Sequence, residues 1–118
     1  MRKNMSEDCV FCKINRGEIP SEVIFRNESC FVIRDIAPKA PVHLLIIPSG
    51  HFTYLTGMTP EFASTAADML DAARCVAEQE GVTDAGYRLV INQGGNAGQE
   101  VPHLHMHLLG GKKLGGMG

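Results

Sequence analysis

The sequence has no excess of positive charge, since 11 Lys and Arg residues face 13 Asp and Glu residues and the formal net charge is −2. Binding of a nucleic-acid polymer depends on clustered positive charge, so we expect no such partner. The chain also has no apolar run long enough to span a bilayer, and we expect no membrane contact. Small anionic ligands are not excluded, because backbone N–H groups can bind them.

Basic residues open the chain in MRKNMSEDC, but no apolar core follows them, which is not typical of a secretory signal. We therefore expect a cytoplasmic protein. The chain has only four cysteines, Cys9, Cys12, Cys30 and Cys75, and in a reducing compartment we expect no structural disulfide among them.

The length of 118 residues and the 44% hydrophobic content predict a single domain over residues 1–118 with its own core. We expect flexible termini at 1–8 and 111–118, the second because GGKKLGGMG is rich in glycine. Thr59 as N-cap, Pro60 at the first helical position and Gly81 after the end delimit one long helix.

Strand patterns lie on both sides of this helix, and CVFCKINRGEIP predicts a short helix before them. The predicted strands are SEVIFRN and CFVIRDI, which form a hairpin, then VHLLIIP, YRLVIN and HLHMHLL. This order predicts an α+β fold with an antiparallel sheet of about five strands, one long helix and a short N-terminal helix.

Three of the five histidines alternate with apolar residues in HLHMHLL, residues 103–109. On a strand, His103, His105 and His107 share one face and leave the apolar residues to the core. A solvated row of imidazoles, a metal site and a catalytic site with one histidine as nucleophile all fit this spacing. The glycine-rich loop QGGNAGQ just before it suits N–H donors aimed at a phosphoryl group.

The CVFC stretch is either a redox pair or half of a metal site. We favour a metal, because the surrounding sequence is not typical of a thioredoxin. Two thiolates need two more ligands in a tetrahedral site, and the candidates are His51 and one histidine of the alternating row.

HLHMHLL matches the pattern His-x-His-x-His-x-x of the histidine triad (HIT) proteins. CVFCKINRGEIPSEVIF, FVIRDIAPKAPVHLLIIP and NQGGNAGQEVPHLHMHLLGG resemble successive blocks of their Hint branch, the histidine triad nucleotide-binding proteins. The resemblance implies a HIT-like fold in a homodimer whose strands form one continuous sheet. It also implies an enzyme that hydrolyses purine nucleoside phosphoramidates at the α-phosphorus.

The same resemblance implies a role for each histidine of the site. His105 matches the nucleophile that forms a nucleotidyl-imidazole intermediate, and the backbone carbonyl of His103 matches the acceptor that orients it. His107 and His43 match residues close to the phosphate or the leaving group.

The resemblance further implies a nucleotide site. Asn92, Gln99 and the N–H groups of Gly98, Gln99, Glu100 and Val101 would contact the phosphate, Asp35 would accept hydrogen bonds from the ribose hydroxyls, and Phe11, Ile14, Ile33 and Ile36 would line the base slot. Without the resemblance, these apolar residues would be assigned to the core and Asp35 to a turn. Glu100 replaces a serine of some Hint members, so we expect only its backbone N–H to serve.

The same match implies a structural zinc ion and no organic cofactor. The ligands would be Cys9, Cys12, His51 and His103.

Three alternatives stay open beside the phosphoramidate hydrolase: a dinucleoside polyphosphate hydrolase, a regulatory protein that binds nucleotide without turnover, and a zinc-binding scaffold.

Overall fold

The computed structural model describes residues 8–118, so nearly all of the N-terminal segment predicted to be flexible lies outside the described residues. The helices are α1 (Val10–Asn15) and α2 (Phe62–Gln79), and the strands are β1 (Val23–Arg26), β2 (Cys30–Arg34), β3 (Val42–Pro48), β4 (Tyr87–Val90) and β5 (Met106–Gly110). The strands form one antiparallel sheet in the order β1-β2-β3-β5-β4. The predicted α+β fold is confirmed.

Both faces of the central strands are buried. Alternate residues of β2 and β3, such as Val32 and Ile46, pack with α2 on one face. The residues between them, such as Phe31 and Ile47, form a second core with α1 on the other face. A strand that is covered on both sides has few polar positions, and this explains the apolar run LLIIP that follows His43 in β3.

Helix α2 begins two residues later than the sequence predicts. Thr59 and Pro60 lie in a preceding turn, where their carbonyl oxygens accept the N–H groups of Phe62 and Ala63 at 2.9 and 3.0 Å. Thr59 is therefore not the N-cap; its side chain bonds instead to the Glu61 carboxyl and lowers the pKa of that group. The predicted end is confirmed, because Gly81 follows the helix with a φ of 72°.

Four of the five strands differ from the prediction at one or both ends. β1 (Val23–Arg26) and β2 (Cys30–Arg34) are shorter than the predicted 21–27 and 30–36. β4 ends at Val90 instead of residue 92, and β5 begins at Met106 instead of His103. The segment before β5 leaves the ladder because the Leu104 N–H donates to the Phe52 carbonyl at 2.5 Å. The predicted alternation persists, since Met106 and Leu108 pack in the core with α2.

The C-terminal residues 111–118 form neither helix nor strand, and Arg88 Nη2 donates to the Gly115 carbonyl at 3.2 Å. Their predicted flexibility stays a prediction. Among the described residues, no helix combines the length and the apolar character needed to cross a membrane.

Leu108 lies fully buried in the middle of β5, between Leu44 of β3 and Leu89 of β4. We expect Leu108→Ala to lower the free energy of unfolding by about 2–5 kcal/mol, because it leaves a cavity in a packed core. The control Met117→Ala, at a side chain that is 90% exposed, should change it by less than about 0.5 kcal/mol. Urea denaturation measures both, and equal losses would contradict this description of the core.

Candidate active site and metal centre

His105 is held by a hydrogen bond to the backbone of its neighbour. Its Nδ1 lies 2.7 Å from the carbonyl oxygen of His103. A carbonyl can only accept, so Nδ1 carries the proton of the neutral ring and Nε2 keeps a lone pair. That Nε2 has no hydrogen-bond partner within residues 8–118. The geometry therefore produces a buried imidazole with an unused nucleophilic nitrogen.

His107 and His43 form a pair of hydrogen-bonded rings beside His105. The ring centroids of His105 and His107 are 5.0 Å apart, and His43 Nε2 lies 2.9 Å from His107 Nδ1. Burial lowers the pKa of His43, and it lowers the pKa of His107 to about 4. Both rings are therefore neutral near pH 7.

Asp35 lies at the end of β2 next to this pair. Its Oδ2 is 3.4 Å from His43 Nε2, and its Oδ1 accepts the N–H of Ala37 at 2.8 Å. The second contact is that of a turn residue, as the sequence alone predicts. The carboxylate is nevertheless only partly covered, with 19% of the side chain exposed, so it can still accept hydrogen bonds from a ligand.

The potential ligand atoms of four residues lie within 4.8 Å of one another and can hold a metal ion. These residues, Cys9, Cys12, His51 and His103, form the metal group. The Nδ1 of His103 is 3.1 Å from Cys9 Sγ and 3.5 Å from Cys12 Sγ, and His51 Nδ1 is 3.3 Å from Cys12 Sγ. A tetrahedral zinc site, with bonds of about 2.3 Å to sulfur and 2.0 Å to nitrogen, places such atoms about 3.6 Å apart. The group needs only small shifts to hold an ion.

The chemistry of the donors fits a metal as well as their spacing does. His103 Nε2 donates to the Pro48 carbonyl at 2.9 Å, so its Nδ1 lone pair faces the thiols. His51 Nε2 is buried without a partner among the described residues. Burial raises the pKa of Cys12 to about 11, so this thiol stays protonated unless a cation stabilises the thiolate.

Helix α1 brings the two cysteines together. Cys9 is its N-cap and accepts the N–H of Cys12 at a sulfur distance of 3.5 Å. The same helix carries Phe11, whose ring packs edge-on against His103 and His105 at centroid distances of 5.6 and 5.1 Å. One short helix thus contacts both the metal group and the catalytic candidate.

The predicted base-slot residues separate into two groups. Phe11 and Ile33 are buried in the core beside α1, and Ile14 packs against them. Ile36 is 99% exposed and joins no cluster among the described residues. The structure therefore brings three of the four residues together, and the role of all four in base binding stays a prediction.

The glycine-rich loop offers fewer free donors than the sequence suggests. The N–H groups of Gly98 and Gln99 bond within the loop, to Gly95 and Gly94 at 3.0 and 3.1 Å. Within residues 8–118, those of Glu100 and Val101 have no such partner.

The Gln99 side chain forms hydrogen bonds to backbone groups in and near the loop. Its Oε1 accepts the Gly94 N–H at 2.9 Å, and its Nε2 donates to the carbonyls of Thr53 and Val101 at 3.1 and 3.3 Å. The half-buried Asn92 accepts Gln93 Nε2 through its backbone carbonyl.

Sequence reasoning missed two of the backbone groups that orient the rings. The Lys39 N–H donates to His43 Nδ1 at 3.0 Å, and the Pro48 carbonyl accepts from His103. Backbone groups leave no signal in residue identity. Only the rigid connector APKAP before His43 indicates that this segment has a fixed shape.

A profile of the HIT domain matches residues 16–114. The purine nucleoside phosphoramidase of Escherichia coli (strain K12) is 43% identical over 113 residues, which make up 96% of this chain and 95% of that protein. A HIT family hydrolase from Clostridium thermocellum is 46% identical with a TM-score of 0.90, covering 94% of this chain and 96% of that one. A histidine triad protein from Clostridium difficile is 34% identical with a TM-score of 0.89, covering 99% and 100%.

We expect Cys12→Ala to remove the bound metal and to lower the unfolding temperature by about 8 °C or more, because a metal that binds only the folded state contributes at least about 2 kcal/mol. Cys75→Ala is the matched control, since Cys75 lies outside the metal group. Elemental analysis and thermal unfolding measure the two effects. Equal metal content in both variants would show that this group does not hold the ion.

Proposed function

The chain belongs to the HIT domain family, and from this premise we propose that it is a hydrolase that cleaves the P–N bond of purine nucleoside 5'-phosphoramidates. The similarity to a purine nucleoside phosphoramidase over nearly the full length of both chains supports this activity. One observation carries the proposal further: the hydrogen bond from His105 Nδ1 to the His103 carbonyl leaves the other ring nitrogen free to attack.

In the proposed reaction, the lone pair of His105 Nε2 attacks the α-phosphorus. The P–N bond breaks, its electron pair stays with nitrogen, and this nitrogen takes a proton from the solvent so that the amine leaves. The resulting nucleotidyl-histidine is attacked by water, which loses a proton and displaces the His105 imidazole. The products are a nucleoside monophosphate and an amine, and His105 is regenerated.

The nucleotide would be held by groups around this ring. The unpartnered N–H groups of Glu100 and Val101 suit the phosphoryl oxygens, on which negative charge builds in the transition state. The partly exposed Asp35 carboxylate suits the two ribose hydroxyls. Glu100 itself is exposed, so its carboxylate can turn away from the phosphate.

The metal group would hold zinc, which suits a set of two thiolates and two imidazoles. With four protein ligands the site is closed, so the zinc would be structural and would tie α1 to the segment that carries His105.

Free buried thiols of this kind fit a reducing compartment, and we propose a cytoplasmic location.

We also propose a homodimer that joins two sheets at β4. Within the described residues β4 pairs only with β5, so its other edge is unpaired. An apolar cavity of about 160 Å³ lies beside it, lined by Leu55, Phe62, Ala66, Met69, Leu70, Ile91, Leu104 and Met106. Leu70 on α2 is 56% exposed, and a second copy of the chain would cover it.

We expect His105→Gly to lower kcat for an adenosine phosphoramidate at least about 10³-fold, because the nucleophile is lost. Nucleotide binding, measured by calorimetry with adenosine monophosphate, should change only a few-fold, since the phosphate and ribose contacts are retained. Turnover that persists in this variant would contradict the assignment of His105. Tight binding without turnover in the wild-type protein would instead indicate a regulatory nucleotide-binding protein.

The homodimer predicts that sedimentation gives a mass of twice the 12.8 kDa of the chain. Leu70→Glu should shift the protein to monomer, because a charge in an apolar interface is costly to desolvate. Thr83→Glu, at an exposed residue outside this cavity, is the control and should remain dimeric. A dimeric Leu70→Glu variant would place the interface elsewhere.

A further inference from the structure

We propose that the backbone N–H of Lys39 determines which nitrogen of His107 carries the proton, and that it acts through His43. Lys39 lies in the connector between β2 and β3, and its N–H donates to His43 Nδ1 at 3.0 Å. A backbone N–H can only donate, so Nδ1 of the neutral His43 ring is bare and the proton lies on Nε2. The connector thereby selects one tautomer of a buried imidazole.

The tautomer of His43 determines the tautomer of His107. Its Nε2–H lies 2.9 Å from His107 Nδ1, which must accept, so the proton of the neutral His107 ring lies on Nε2. The reverse arrangement, in which His107 donates, would leave both nitrogens of His43 bare and make it an imidazolate. The burial that keeps both rings neutral near pH 7 also ensures that each ring has only one proton to place.

The consequence, which rests on the proposed function, is that two adjacent rings offer opposite groups to the substrate. His105 presents a bare Nε2 that can attack phosphorus, and His107 presents an Nε2–H that can donate a hydrogen bond to a phosphoryl oxygen or to the departing amine. In the other tautomer, His107 would present a second lone pair to atoms that need a donor. Lys39 is therefore a positioning residue, and it acts through its backbone.

A second metal site is the competing interpretation of the same cluster, because Asp35, His43 and His107 place three potential ligand atoms within 4.8 Å. A cation on His43 Nε2 would require the proton to move to Nδ1. There it would face the Lys39 N–H at 3.0 Å, donor against donor. The position of Lys39 thus favours a chain of hydrogen bonds over a metal.

The direct test is nuclear magnetic resonance of the full chain labelled with ¹⁵N-histidine, in which the nitrogen shifts report the protonated atom of each ring. We expect His43 and His107 both to carry their proton on Nε2. His107 protonated on Nδ1, or a cation bound to this cluster, would overturn the proposal. Because no substrate is present, this result is independent of the proposed hydrolase activity.

Two variants separate the backbone of Lys39 from its side chain. Lys39→Pro removes the N–H, whereas Lys39→Ala retains it and removes the same long side chain. We expect His107 to show a mixture of tautomers only in the Pro variant, and its kcat for a phosphoramidate to be about 10-fold lower than that of the Ala variant, with KM changed less than about twofold. Circular dichroism and metal content verify that both variants fold.

A His43→Gln background tests whether Lys39 acts through His43. A glutamine amide can place an N–H near the Nε2 position and donate to His107 without help from Lys39. In this background the Pro and Ala variants should differ in kcat by less than about twofold. An undiminished 10-fold difference, or a His107 tautomer that does not respond to Lys39→Pro, would overturn the proposal.

Discussion

The hydrogen bond from His105 Nδ1 to the carbonyl oxygen of His103 is the interaction on which the rest of the site depends. At 2.7 Å it holds the single proton of a neutral imidazole on the inner side of the ring and leaves the outer nitrogen bare. It also couples two centres, because His103 offers its carbonyl to His105 and its ring to the metal group. A disturbance of the metal group therefore reaches His105 within two residues.

The fold supplies the rigid frame that this interaction needs. The end of β3 holds His103 through the Pro48 carbonyl, and the Phe52 carbonyl holds the next residue, Leu104, through its backbone N–H. Both faces of the central sheet are packed, so the segment that carries the rings has little room to move. A backbone group also orients His43, because the Lys39 N–H determines the tautomer of this ring.

Side-chain patterns predicted much of this arrangement. Alternation separated the histidine face from Met106 and Leu108, and the CVFC spacing identified two of the four potential metal ligands. The patterns failed where backbone geometry decides, since β5 starts only at Met106. They also did not reveal that the Gln99 amide bonds to the backbone of Gly94 and Thr53. Ile36 shows the same limit, because an apolar residue after a strand can be fully exposed and sequence periodicity does not reveal this.

The most direct test of the account is mass spectrometry of the protein quenched within milliseconds of mixing with an adenosine phosphoramidate. If the bare Nε2 of His105 attacks phosphorus, an adduct of one nucleoside monophosphate per chain forms and maps to the peptide that contains His105. An adduct on His107 or His43 would contradict it. So would turnover without an adduct on any histidine, measured under conditions in which attack on phosphorus is faster than hydrolysis of the intermediate.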